Sequence, residues 1–516
     1  MTPHPAAELG AAQRIGLGDR RSVATLSRWR LSQKVRKWPI PPVDGEGRLR
    51  AIDADFSKTF LFPPSFEDLL SPDHPARFIR ELVDYFITTV KLSWKDESGD
   101  GRPPFAAALL MRVWLYGYMH NIRTVRKLEA ACREHIGLLW LTGMNTPDHN
   151  TLWRFWRMNQ KTIAQVFRES VRMAVEAGMV GFALHAVDGT KIQAKGSTRK
   201  AWSQKKLEKF LERVDQKIAA LEAEIGGHEV SEDEGYRLKT ELTERQALRS
   251  LIEEKLQTLA SLHKTDMNPH EPEAGMVKTG SGTRLGYNGQ MVADEKKGLI
   301  VVEDLLTEPF DQGALLPLLD LVEEQLGRTA EHTVADGGYN TEQTLVEAQE
   351  RNRSITVAAG PADAESHPDE PYHLSRFTYD EQNDQFVCPR GERLGFDQVK
   401  TKEHDRKVRV YRCTVGATCP VAGQCTKAKN GRTVERSPNH EVVERHRQRR
   451  RSEAGRERLK RRSTLGERPF AVIKRLLGFV RFRAGGKANA AAEWTWICLT
   501  HNLKILMAQW QREVAA

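Results

Sequence analysis

The 516-residue sequence predicts a mixed α/β protein assembled from several pieces. Three observations lead there. Apolar residues recur with helical spacing from Ser65 to Met158. Further on, short apolar strands alternate with helices, and two of those strands run into Asp-Gly pairs, at Asp188-Gly189 and Asp336-Gly337. This alternating part is interrupted by a heptad run and then by a polar stretch that holds four of the six cysteines.

Bulk composition narrows the classes open to the chain. Apolar residues make up 39%, enough for a substantial core, and 29% are charged. The formal charge of +10 favours partners that carry phosphate, and the basic residues cluster at Arg14 to Lys37 and at Arg445 to Arg462. No run approaches the roughly 18 apolar residues of a membrane span, and the first residues lack the apolar core of a signal peptide, so a cytoplasmic protein with reduced thiols is expected.

Taken in order, residues 1–60 form a basic, loosely ordered arm, for which disorder and DNA contact are both open. Residues 61–175 form a helical N-terminal domain. Phe78, Ile79, Leu82 and Val83 mark one helix face, and Pro103-Pro104 opens an apolar helix running to about His120. Helices follow near Val125 to Arg133 and Ile136 to Leu141. Thr146-Pro147-Asp148 has the order of a cap, a first-position proline and a first-turn acid. The helix it starts carries Trp153, Arg154, Phe155, Trp156 and Arg157, which fits either a helix-turn-helix reader or a plain bundle with core aromatics.

Residues 176–200 and 264–360 supply the alternating part. A strand at Phe182 to Val187 ends at Asp188, and strands at Gly286 to Ala293 and Leu299 to Asp304 flank the turn Asp294 to Gly298. A helix from Gln312 to Leu326 with Asp311 as its cap, a strand at Glu331 to Ala335, a helix at Glu342 to Arg351 and a strand at Ser354 to Ala358 complete the run. Residues 201–263 interrupt it as a helical hairpin. There Leu207, Leu211, Val214, Ile218, Leu221 and Ile225 step by 4, 3, 4, 3 and 4, Gly226-Gly227 breaks the helix, and Ser231 caps the second one. A spacer or a dimerising arm fits this pattern. Residues 361–440 are a second, Cys-containing insert, and 441–516 hold a basic helix, the Glu467 helix and an apolar C-terminal helix from Trp494 to Trp510. Without the inserts, the order β, β, β, α, β, α, β and a late helix is that of a ribonuclease-H-like core.

Chemistry concentrates on three acids. Cleaving and rejoining a phosphodiester requires the attacking and leaving oxygens to be stabilised together, which two metal ions about 4 Å apart achieve. Asp188 and Asp336 close what would be the first and fourth strands, neighbours in such a sheet, and each precedes a glycine that would admit a phosphate. Glu467 lies on the helix that would cross them. Taken singly, an Asp-Gly pair is ordinary turn chemistry, and Thr464 to Glu467 has the form of a capping box. The joint arrangement favours the chemical reading. Lys474, seven residues after Glu467, and Arg462 just before it would reach a DNA phosphate. The run His446 to Arg451, with Arg449, Arg450 and Arg451, leads into this helix and fits DNA contact better than a solvated face. Arg154 and Arg157 would contact DNA from the N-terminal domain. Cys388, Cys413, Cys419 and Cys425 have 24, 5 and 5 residues between them, four thiolates in number for a structural zinc but without a CxxC knuckle, so zinc and free thiols both stay open.

The strings His185-Ala-Val-Asp188-Gly-Thr-Lys191, Gly286-Tyr-Asn-Gly-Gln290, Ala335-Asp-Gly-Gly-Tyr-Asn340 and Glu467-Arg-Pro-Phe-Ala-Val-Ile-Lys474 resemble the DDE transposases of bacterial insertion sequences. Within them the chain is most similar to the group numbered eleven-eighty-two, a relative of the IS-four-like assemblage. Arg481-Phe-Arg, His501-Asn-Leu-Lys504 and the helical stretch Leu61 to Arg157 fit as well, so the likeness covers about residues 60 to 510. It implies that Asp188, Asp336 and Glu467 are the catalytic triad, with Mg²⁺ as cofactor. In the reaction expected of them, with two Mg²⁺ or Mn²⁺ ions, Asp188 would bridge both and the other two acids would hold one each. It also implies sequence-specific binding of terminal inverted repeats. Joining two element ends to target DNA calls for a homodimer on DNA, and a cytoplasmic DNA-seeking protein is expected at the nucleoid. A related signature sets a Tyr and an Arg ahead of the Glu; here Arg462 is the nearest Arg, and Leu459 stands at the Tyr position. Two rivals remain, a nuclease of the same fold and a non-catalytic DNA-binding descendant.

Overall fold

Caps and apolar phase set the helical N-terminal region. A computed structural model describes residues 65–94, 104–198, 201–227, 232–262, 264–268, 271–280, 282–360, 369–402 and 407–516. The basic arm and the Ser231 cap lie outside the described residues. Helix α1, Pro75–Thr89, starts on a proline, with the His74 ring accepting the Ala76 N–H, and buries Phe78, Ile79, Leu82, Val83 and Phe86. Helices α2, Ala107–Met119, α3, Val125–Glu134, and α4, Ile136–Thr142, follow, the last stopped by Gly143 at φ 57°. In α5, His149–Met158, the cap is Asp148, not Thr146: its carboxylate accepts the N–H groups of Asn150 and Thr151. Helix α6, Thr162–Glu176, was not read from the sequence, and it buries Ile163, Val166, Phe167 and Val171.

The central sheet is mixed. Strand β1, Leu184–Gln193, lies between β3, Gly282–Asp294, and β5, His332–Ala335. Its pairing with β3 is antiparallel along its length, whereas with β5 it is parallel and spans only Leu184↔His332 to Val187↔Ala335. Beyond β3 lies β4, Ile300–Leu306, and beyond β5 lies β6, Ile355–Val357; β2, Gly275–Thr279, extends the other end of β3. Asp294 fixes the entry to β1, because its carboxylate accepts from the N–H groups of Gly181, Phe182 and Lys296. The sheet thus holds β1 longer than its apolar run indicated, and Asp188 sits within the strand rather than after it.

Between β1 and β2 the heptad run forms α7, Gln204–Gly227, packed on α8, Glu232–Ser261. Leu207 and Val214 are buried in the seam against Ile252 and Leu259, and Leu221 is buried further along α7. Helix α9, Leu315–Leu326, packs on β4 and against α10, Glu342–Glu350. The Cys-containing insert is a separate antiparallel sheet of β7, Thr378–Asp380, β8, Gln385–Val387, β9, Arg393–Thr401, β10, Lys407–Cys413, and β11, Thr433–Arg436. Its buried core is small: Phe377, Phe386, Leu394, Tyr411 and Val434.

Chain and sheet meet again in α11, His440–Arg451, and α12, Glu453–Ala471, which continues into a π turn at Val472–Leu476. The cap of α12 is Ser452, so Glu467 lies deep inside the helix and Thr464 to Glu467 starts nothing. The C-terminal helix α13, Lys487–Ala515, joins both halves of the fold. Trp496 stacks on Tyr118 with ring centroids 4.8 Å apart, and Trp510 meets Phe78 at 5.7 Å. On the sheet side, Asn502 completes β4: its Oδ1 accepts the Ile300 N–H at 2.9 Å, and its amide donates to the Ile300 carbonyl at 2.7 Å.

Candidate active site

Strand register places the first two acids. The last parallel pair is Val187↔Ala335, so the next residue on each strand, Asp188 and Asp336, emerges at the same edge of the ladder. Their side chains differ in exposure, 17% for Asp188 and 54% for Asp336. Asp188 Oδ1 accepts the N–H of Gly189 at 2.8 Å. Burial pushes the Asp188 carboxyl up to about 6; the Gly189 N–H and the Arg462 guanidinium oppose that rise, while Asp336 and Asp311 add to it.

A helix crosses this edge. α12 packs over β1, β3, β5 and β6. Leu465 on it meets the buried cluster of Leu184, Ala186 and Val334. Gly466 faces Asp188 so closely that a Cβ there would stand 2.6 Å from Asp188 Oδ2. One turn earlier, the Arg462 guanidinium lies 3.6 Å from Asp336 Oδ1 and 4.0 Å from Asp188 Oδ2, with the side chain 17% exposed. Glu467 is the neighbour of Gly466, exposed on the flank of the helix, where its Oε1 accepts from Ser463 Oγ at 3.1 Å. Lys474 sits in the π turn, so the plain two-turn spacing from Glu467 does not hold; its Nζ lies 6.0 Å from the Phe470 ring centroid, and burial lowers its pKa against the pull of Asp188.

A fourth acid was missed. Asp311, read as a helix cap, caps nothing: α9 begins after Ala314. Instead its Oδ1 accepts from Lys191 Nζ, Asn288 Nδ2 and Gln290 Nε2, each at 2.8 Å. Gln290 in turn accepts from the hydroxyl of buried Tyr339. A Cβ on Gly338 would come within 3.1 Å of Asp311 Oδ2, and one on Gly189 would run into Gln290 and Asp311. The glycines after the two acids therefore make room for this network. The strings containing Asn288, Gln290, Lys191 and Tyr339 were the only trace of it in the sequence.

The surface basic residues divide. Arg154 and Arg157 are exposed on α5, and Arg449 and Arg451 are exposed at the end of α11. Arg450, between them, is only 5% exposed and points away from the surface that Arg449 and Arg451 share. His446 is also buried and accepts the Val357 N–H at 3.1 Å, pinning α11 to β6. Cys388, Cys413, Cys419 and Cys425 form no disulfide. They lie near one another: burial pushes the Cys425 thiol up, Arg432 opposes this, and the other three thiols add to it. The Arg390 N–H donates to Cys388 Sγ at 3.3 Å. Among the described residues, no group of three or more His, Cys, Asp or Glu side chains is arranged to hold a metal ion.

A basic chain with two acids at one edge of a mixed sheet, crossed by a helix that carries a third, defines a candidate phosphoryl-transfer protein. Comparison with known proteins narrows the class. Residues 387–507 match the family described as transposase DDE domain, and residues 64–158 match the family described as transposase domain (DUF772). Together these support an insertion-sequence DDE transposase. The first match contains Arg462, Glu467 and Lys474, and the second contains Arg154 and Arg157. No curated protein and no solved structure matches the chain. Among the described residues, no helix is long and apolar enough to cross a membrane.

Proposed function

We propose that the chain cuts DNA at the ends of an insertion sequence and joins the freed ends to target DNA, with Asp188, Asp336 and Glu467 as its catalytic acids. The observation that carries this reading is the emergence of Asp188 and Asp336 side by side beneath α12, with one cation, Arg462, already between them. The strand order β4-β3-β1-β5-β6, with β1, β5 and β6 parallel, supports a ribonuclease-H-like core.

The donor set suits Mg²⁺ or Mn²⁺, since carboxylate oxygens are their preferred protein ligands. The position of Arg462 supports Asp188 and Asp336 sharing a cation; Glu467 follows Gly466 on α12 and would join by turning from Ser463. Two ions there would stabilise the attacking and leaving oxygens of the phosphodiester. The protein's own part is to hold Asp188 and Asp336 at a fixed separation through β1 and β5 and to exclude water over Asp188 with α12. Its exposed arginines at positions 154, 157, 449 and 451, with Lys474, would track phosphates along terminal repeats and target DNA. Two element ends joined together call for a homodimer on DNA.

The test uses a duplex carrying the DNA that flanks the coding region. With Mg²⁺ or Mn²⁺, cleavage at that end is expected, and pre-cut ends should be joined to a second duplex. Asp188→Asn, Asp336→Asn and Glu467→Gln should each reduce both reactions to background. Full cleavage by any one variant removes that acid from the triad. Cleavage without joining of pre-cut ends would favour a nuclease, and binding with no metal-dependent product would favour the non-catalytic rival.

A further inference from the structure

The acids do not present a ready cage. Arg462 lies between two of them, and the third is turned to Ser463. Both Arg462 separations, 3.6 and 4.0 Å, exceed an ordinary charge-assisted hydrogen bond, so the guanidinium balances two charges without locking to either. Gly466 closes the helix against Asp188 one turn on, and Lys474 is the other cation that Asp188 acts on from this segment. An Mg²⁺ ion needs carboxylate oxygens at about 2.0–2.1 Å, and a guanidinium held near both carboxylates repels a divalent cation from them.

We propose that Arg462 is a built-in counter-cation that guards the acid pair, and that DNA opens the site by drawing Arg462 from Asp188 and Asp336 onto a phosphate. This rests on the proposed catalytic role of the two aspartates. A phosphate offers paired oxygens that the guanidinium fork binds well, so the exchange keeps Arg462 paired while freeing both carboxylates. Its consequence is thermodynamic coupling: metal loads weakly on the free chain and tightly on the DNA complex, and by reciprocity the metal strengthens the hold on DNA. A transposase guarded in this way keeps divalent ions off its acids until a strand is in place.

The experiment is Mn²⁺ binding to the full chain, followed by the electron paramagnetic resonance signal of free Mn²⁺, with and without a 30-base-pair duplex, in wild type, Arg462→Gln, Arg462→Lys and Asp188→Asn/Asp336→Asn. The double aspartate variant with duplex supplies the background from DNA itself. Wild type should bind Mn²⁺ about tenfold more tightly with duplex than without, within the usual range of coupling between sites. Arg462→Gln should bind tightly without duplex and lose most of that coupling, while Arg462→Lys, which keeps the charge, should stay within about threefold of wild type. If Arg462→Gln binds no more tightly than wild type, or keeps the full coupling, the guard is overturned. A Lys variant as tight as the Gln variant overturns it too, since altered packing and not the missing charge would then be the cause. Tight Mn²⁺ binding that survives in Asp188→Asn/Asp336→Asn strikes instead at the catalytic assignment.

Discussion

Gly466 lies against Asp188 with no room for a side chain: a Cβ would stand 2.6 Å from the carboxylate Oδ2 and 3.1 Å from the Asp188 Cβ. Two effects compete in Gly466→Ala. A mid-helix Gly→Ala change ordinarily stabilises by about 0.5–1 kcal/mol, whereas overpacking a close contact costs about 1–3 kcal/mol. Here the clash is with a strand in the middle of a sheet, so overpacking wins. Gly466→Ala should lower thermal stability by about 1–2 kcal/mol. In an Asp188→Ala background, where the oxygen is gone, the penalty should shrink, and a double-mutant cycle measures the difference. A stabilising Gly466→Ala would mean that α12 does not sit on Asp188 in this way.

The raised pKa of Asp188 carries a signed stability prediction. A carboxyl pushed to about 6, above the ordinary 3.8, binds a proton more tightly in the folded chain than in the unfolded one. Its contribution is fully present at pH below about 4 and is lost as the pH rises through about 6, above which the loss stays constant. Asp188→Asn does not titrate. In chelator and without DNA, it should therefore match wild type near pH 4 and be more stable at pH 7.5, by roughly 1–2 kcal/mol after allowing for partial exposure. Thermal melts across that range check it. A variant less stable than wild type at pH 7.5 would show that pairing with Arg462 outweighs burial.

How far the sequence could be read depended on how local each determinant is. The stepping of Leu207, Val214 and Leu221 is a short-range pattern, and the hairpin follows from it. The strands carrying Asp188 and Asp336 were legible as apolar runs, but where β1 ends was not, because its second half is held by β3, nearly a hundred residues downstream. The helix carrying Glu467 was legible, but which of its sides faces Asp188 was not. Only the packing of Leu465 and Gly466 on the sheet decides which side of α12 faces Asp188, and the π turn at Val472–Leu476 breaks the spacing to Lys474. Asp311 looked like a cap because Asp before an apolar helix has that form; its three donors come from β1 and β3.

Those three donors make Asp311 a sensitive position. Asp311→Ala removes the acceptor shared by Lys191, Asn288 and Gln290, of which Asn288 and Gln290 are fully buried. Leaving a buried donor unsatisfied costs about 1–3 kcal/mol, so a loss of about 2–4 kcal/mol is expected, less than the sum because the donors share one oxygen. Asp311→Asn keeps an acceptor and should recover part of this. Chemical denaturation distinguishes the two. If Asp311→Ala costs under about 0.5 kcal/mol, the network does not hold the two Asp-Gly segments in place.

Burial separates three consecutive arginines whose sequence contexts look alike. Arg449 and Arg451 are exposed at the end of α11, while Arg450 is 5% exposed. In duplex binding measured across salt concentration, removing one side chain that pairs with a phosphate should flatten the slope of log affinity against log salt by about 0.9. Arg449→Ala and Arg451→Ala should each do this, and both together should flatten it by about twice as much. Arg450→Ala should leave the slope unchanged and lower the melting temperature instead, because removing a buried charged side chain strips its partners and leaves a void. A slope change in Arg450→Ala equal to that of its neighbours would mean that α11 turns its inner face to DNA, and that the hydrogen bond between His446 and Val357 does not persist in the complex.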